Sequence, residues 1–179
     1  MNERNNTLAM ITVHIANIFN WGVARNITIA GGASMNAQLR KGAQEVVETA
    51  IAYGASDSDG ILDGVGDMIV CIAQAVRIGG GSVNGFMVTF KQLLKEREAV
   101  YVSNGVNTPA KSLELIADSC VGNSPTRALS HVIDFALVVG GFMEEGGGAH
   151  IFIEQALAEA WDDIKDRKGT MINGQFVKE

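Results

Sequence analysis

Apolar residues recur along this chain at three- and four-residue spacings, and caps, prolines and glycines cut the pattern into helical lengths. Leu8, Ile11, Ile15 and Ile18 form a 3-4-3 stripe that predicts a first helix over 5–26. A loop follows at 26–32. Ser34 is placed to cap a second helix ending near Tyr53-Gly54. Asp57 or Asp59 is placed to cap a third that runs to Ile78 and stops at the triple glycine 79–81. A fourth helix is predicted over 83–98, with Phe86, Phe90, Leu93 and Leu94 inward. It leads into a connector, 99–107, where Tyr101 and Val102 suit a short extended piece. Thr108-Pro109 and Ser124-Pro125 each set a capping residue before a proline at the first helical position. They open a fifth helix to about Val121 and a sixth to about Glu145, which Gly146 to Gly148 break. A seventh covers 150–167, and the polar tail 168–179 is expected to be irregular. One extended piece cannot build a sheet, so the expected fold class is all-α, a helical bundle. A chain of 179 residues suits a single domain, 1–179.

A faint internal repeat runs through this pattern. Asp67 is followed twelve residues on by Gly79-Gly80-Gly81, and Asp134 twelve on by Gly146-Gly147-Gly148, with apolar helix between in both cases. The offset of 67 residues suggests a duplicated helical hairpin. Ser112 and Leu115 then fall where Glu45 and Glu48 stand in the first copy, and Ser130 where Asp63 stands. On this reading 80–150 is an insertion or a degenerate second repeat. A chance likeness between two glycine-rich helix breaks is the alternative.

Charge narrows the partners. The net charge is −6 at pH 7, which disfavours a nonspecific binder of nucleic acid or of a membrane surface. Cys71 and Cys120 lie in apolar helical stretches at no zinc-motif spacing, as expected of buried thiols in a reducing compartment. The start of the chain has no signal-peptide pattern, and no run of eighteen apolar residues occurs, so a cytoplasmic protein is expected.

Two acidic pairs stand out within this background. Glu45 and Glu48 are three apart on the second predicted helix, with Lys41 one turn earlier on the same face. Asp63 and Asp67 are four apart on the third. If the two helices pack antiparallel, the four carboxylates can converge. Like charges in contact repel by roughly 4 kcal/mol per pair near a surface, so such a cluster calls for a cation, and oxygen ligands favour Mg²⁺ or Mn²⁺. Solvated helix faces account for most acidic pairs of this kind; the lysine in register, and Trp21 and Arg25 just upstream, single this one out. Asn17, Trp21 and Arg25 lie four apart on one face of the first helix, where Trp21 suits either core packing or a platform for a base. Lys165, Arg167 and Lys168 form a basic group at the end of the seventh helix, read either as a solvated helix end or as a clamp on phosphate oxygens. Other chemistries lack their motifs. The three histidines are scattered, and neither a Gly-x-x-x-x-Gly-Lys phosphate loop nor a Gly-x-Ser-x-Gly elbow occurs.

Three blocks together resemble the all-α NTP pyrophosphatases of the MazG type, particularly short phage-encoded forms. They are Trp21-Gly-Val-Ala-Arg25 with Gln38 and Lys41; Lys41-Gly-Ala-Gln-Glu45-Val-Val-Glu48 with Asp63-Gly-Val-Gly-Asp67; and Ala160-Trp-Asp-Asp-Ile-Lys165-Asp-Arg167-Lys168-Gly-Thr-Met-Ile-Asn-Gly-Gln-Phe-Val-Lys. The family pattern is Glu-x-x-Glu, a spacer, then Glu-x-x-Asp. Glu45, Glu48 and Asp67 match it, whereas Gly64 stands at the second-motif glutamate and Asp63 is the nearest substitute. The resemblance implies Mg²⁺-dependent hydrolysis of a nucleoside triphosphate to monophosphate and pyrophosphate. Glu45, Glu48, Asp67 and Asp63 would hold the metal, and Glu45 or Glu48 would orient the attacking water. Lys41, Lys165, Arg167 and Lys168 would grip phosphates. Trp21, Arg25, Asn17 and Asn20 would line the base side. It also implies a homodimer or homotetramer, unless the duplication lets one chain imitate a dimer. Non-catalytic binding of nucleotide and metal, and a helical interaction protein with surface acids, are the competing readings.

Overall fold

The computed structural model describes residues 3–104, 107–143, 148–172 and 175–179. Among these residues the chain forms α1 (Glu3–Ala24), α2 (Met35–Ala55), α3 (Ser58–Ile78), α4 (Val83–Asn104), α5 (Pro109–Val121), α6 (Pro125–Met143) and α7 (Ala149–Ile164), followed by strands β1 (Gly169–Ile172) and β2 (Gln175–Lys178). The fold is all-helical apart from this small hairpin.

Local chemistry explains most boundaries. The Ser34 side chain accepts from the amide of Ala37 to start α2, Asp57 accepts from Gly60 to start α3, and Thr108 accepts from Lys111 ahead of Pro109. Helix α2 runs past Gly54 to Ala55, because it is Ser56, at φ 57°, that takes the left-handed conformation closing it. Residues 99–104, expected as connector, continue α4. Gly105 and Val106 of that connector, and Glu144 to Gly147 at the expected end of the sixth helix, lie outside the described residues.

The tail differs most from expectation. Helix α7 ends at Ile164 rather than 167, and β1 pairs antiparallel with β2, Met171 opposite Phe176. Both side chains of that pair lie against the core. The alternation Thr-Met-Ile and Gln-Phe-Val about Asn173-Gly174 is a hairpin signal that a reading for polarity alone passes over. Asn173 and Gly174 themselves lie outside the described residues.

Helix α3 is the axis of the bundle. It packs against α2, α7 and α1, while α6 packs against α5, α4 and α7, and α2 meets α5. From Gly64 to Ala75 every residue of α3 is buried except Asp67, as expected of a helix enclosed by neighbours. Two glycines permit the closeness. A Cβ at Gly64 would stand 2.1 Å from the Thr49 hydroxyl of α2, and one at Gly66 would stand 2.3 Å from the Ala156 carbonyl of α7. By length and mean hydropathy α1 could cross a bilayer, yet Ile11, Ile15 and Ile18 are fully buried in the bundle.

Candidate functional site

The site grows from one turn of α2. Lys41 and Glu45 are four residues apart, and the Lys41 ammonium donates to the Glu45 carboxylate. Glu45 is only 6% exposed, so this ion pair sits at the edge of the core. Directly across lies Asp67, the one opening in the buried run of α3. Burial pushes the Asp67 carboxyl up to about 6; the Glu45 charge adds to this, Lys41 and Arg167 oppose it, and Asp63 adds again. Burial works against the Lys41 ammonium, but the Glu45 and Asp67 carboxylates beside it help to outweigh that and its pKa is raised. Beneath them the Cys71 thiol is pushed up to about 12 by burial, which favours its protonated form at neutral pH.

A cavity of about 510 Å³ opens over Asp67. Its floor is Asp67, Val70, Cys71 and Gln74 of α3. One wall carries Arg40, Lys41 and Gln44 of α2, and another carries Arg167, Phe176 and Lys178 from the end of the chain. Trp21 and Ile27 close the apolar side. Four cations, Arg40, Lys41, Arg167 and Lys178, thus face a cavity with a single lining carboxylate, in a protein of net charge −6. Such a concentration of positive charge suits a polyanion.

The structure divides the residues that the sequence singled out. Lys41, Glu45, Asp67 and Arg167 come together. Glu48 and Asp63 are exposed, each one helical turn from its partner, and Asp63 also faces Glu159. Among the described residues no three carboxylate, imidazole or thiol groups are gathered closely enough to enclose a metal ion. Trp21 is 9% exposed and packs edge-on to Phe176 at 5.5 Å between centroids, so it is both core and cavity wall. Asn17 is half-buried and Asn20 exposed, and neither lines the cavity. Arg25 turns to the chain end instead, its Nε donating to the Arg167 carbonyl at 2.7 Å. Arg167 in turn pairs with Asp163. Lys165 points outward to Asp162 at 2.6 Å, and Lys168 is exposed at the root of the hairpin, where its carbonyl accepts from the Glu179 amide.

Sequence reasoning missed Arg40 and Lys178. The hairpin signal would have found Lys178; Arg40 carries no local signal beyond its place beside Lys41. The missing fourth acid also has a physical reason. A side chain at position 64 has no room against the fully buried Thr49, so Gly64 is where α2 and α3 touch.

No protein-family model matches the chain, and neither the curated proteins nor the solved structures contain a significant match.

Proposed function

We propose that the chain is a nucleoside triphosphate pyrophosphohydrolase of the all-α, MazG-like type, converting a (d)NTP to its monophosphate and pyrophosphate with Mg²⁺ or Mn²⁺. The observation that carries this reading is the cavity lined by Asp67 and four cations, with Glu45 paired to Lys41 behind its wall. The Glu45 charge, behind the cavity lining, acts on Asp67, whose carboxyl burial raises to about 6, and two carboxylates so placed would suit a hard divalent ion. Those two residues would hold the ion, with Glu48 and Asp63 within one turn. When bound, the ion supplies charge neutralisation at the phosphates and lowers the pKa of a coordinated water.

The chain's own groups do the rest. Arg167, Arg40 and Lys178 bind phosphate oxygens, and the Lys41 ammonium balances charge beside them. Trp21 and Phe176 offer the apolar wall against which a base lies. Glu48, exposed and one turn from Glu45, would be the residue that orients or deprotonates water. A second reading, binding of nucleotide and metal without turnover, is favoured by Gly64, which excludes the fourth acid by packing.

The deciding experiment is pyrophosphate release from the common ribo- and deoxyribonucleoside triphosphates, with and without Mg²⁺. Metal-dependent release lost in Asp67→Asn and Glu48→Gln supports the hydrolase. Thermal stabilisation by nucleotide plus metal without any release supports the binding protein. The absence of both overturns the site.

A further inference from the structure

The cations that line the cavity are not equivalent. Lys41 and Arg167 each have a carboxylate of their own, Glu45 and Asp163, and both act on Asp67. Arg40 and Lys178 have neither an ion-pair nor a hydrogen-bond partner for their side chains among the described residues.

Their surroundings explain why they are left unpaired. The residues three and four positions from Arg40 along α2 are Asn36, Ala37, Ala43 and Gln44, none of them acidic, whereas Lys41 has Glu45 at that spacing. Lys178 lies two residues from Phe176, on the strand face that packs against Trp21. Its cross-strand partner is Gly169, which has no side chain to offer. The first turn of α2 carries no acid and lines the same cavity, so the positive end of the helix dipole adds to these two charges. In a chain of net charge −6, two bare cations on two walls of one 510 Å³ cavity mark the place of an anion that the chain does not supply itself.

We infer that Arg40 and Lys178 form an anion subsite that takes one end of an inorganic or nucleotide-borne oligophosphate without a metal ion, while Lys41, Asp67 and Arg167 make the other end of the cavity. A pyrophosphate group suits this subsite better than a single phosphate, because it carries more charge and has oxygens for both walls. In the proposed reaction the group held there is the leaving pyrophosphate, so product competes with triphosphate. That consequence rests on the hydrolase reading; the metal-free binding of pyrophosphate does not.

The probe is sodium pyrophosphate, titrated calorimetrically into the full chain in EDTA, with orthophosphate as the comparison. The wild type is expected to bind pyrophosphate about tenfold more tightly than orthophosphate. Arg40→Gln and Lys178→Gln are each expected to weaken pyrophosphate binding about fivefold or more, and Lys165→Gln, which removes an exposed cation paired with Asp162, less than about twofold. Arg40 and Lys178 are exposed, so neither substitution takes away core packing. If a variant nevertheless fails to fold, the wild type decides alone through the two anions. Absence of metal-free pyrophosphate binding, equal affinity for the two anions, or a loss in Lys165→Gln as large as in Arg40→Gln overturns the inference. Metal-free binding that both variants lose, in a protein that releases no pyrophosphate from any triphosphate, upholds the subsite and defeats the hydrolase reading. Turnover without metal-free binding does the reverse. Where triphosphate is turned over, added pyrophosphate is expected to raise KM, and to raise it less in Arg40→Gln; an unchanged KM overturns the assignment of the leaving group to this subsite.

Discussion

The guanidinium of Arg25, at the end of α1, holds the backbone carbonyl of Arg167, beyond the end of α7, across 142 residues of sequence and 2.7 Å of space. The arginine that reaches the cavity is thus positioned by one that does not. Replacing Arg25 by methionine keeps most of the side-chain bulk and removes this charge-assisted bond, worth about 1.5 kcal/mol or more. For the proposed hydrolase the expected result is a KM for triphosphate raised about tenfold with kcat within a factor of two. Steady-state kinetics checks this, and an unchanged KM refutes it.

Lys165 and Arg167 look interchangeable in sequence and differ in space. Lys165 is exposed and bound to Asp162, whereas Arg167 lines the cavity and acts on Asp67. Arg167→Ala is expected to lower kcat/KM about a hundredfold, the loss of a phosphate clamp, and Lys165→Ala less than twofold. Comparable losses in the two variants would place the phosphates elsewhere.

Asp67 makes stability depend on pH in an unusual direction. Its folded pKa of about 6 lies above the ordinary value of 3.8, so between those values the folded state binds more proton than the unfolded one. Its contribution is therefore full at low pH and lost as pH rises from about 4 to 6, by about 2–3 kcal/mol in all. Asp67→Asn removes this term. Urea unfolding across that range is expected to show the variant gaining on the wild type as pH rises, and reaching its greatest relative stability above pH 6. A constant difference between the two proteins would contradict the burial of this carboxyl.

Gly64 tests the packing account of the missing acid. Gly64→Ala puts a methyl against the Thr49 hydroxyl, which is itself bonded to the Glu45 carbonyl at 2.7 Å. A loss of about 1–3 kcal/mol is expected, and Gly64→Glu is expected to be worse while adding no activity. Chemical denaturation measures the first. Tolerance of glutamate with gain of turnover would show that position 64 is a lapsed ligand.

Much of the architecture was legible because its causes are local. Ser34, Asp57, Thr108 and Pro109 announce helix starts through contacts spanning three residues, and the apolar spacing of α3 announces a helix with a side to bury. The tail is hard to read locally because its polarity masks the short alternation that builds the hairpin. The end of α4 is not legible locally, because Val100, Tyr101 and Val102 suit extended chain as well as helix and the packing of α4 on α6 is set by tertiary structure.

The site was legible in halves. By itself the chain determined that Lys41 and Glu45 would meet, since a helix brings residues four apart together whatever surrounds it. It also determined that Asp67 would interrupt an otherwise apolar helix. Which acid of α3 faces that pair, and which cations of α2 and the chain end face Asp67, was decided only by tertiary structure. The rotation of one helix against another depends on close approaches such as Gly64 to Thr49 and Gly66 to Ala156, between positions that sequence spacing does not relate.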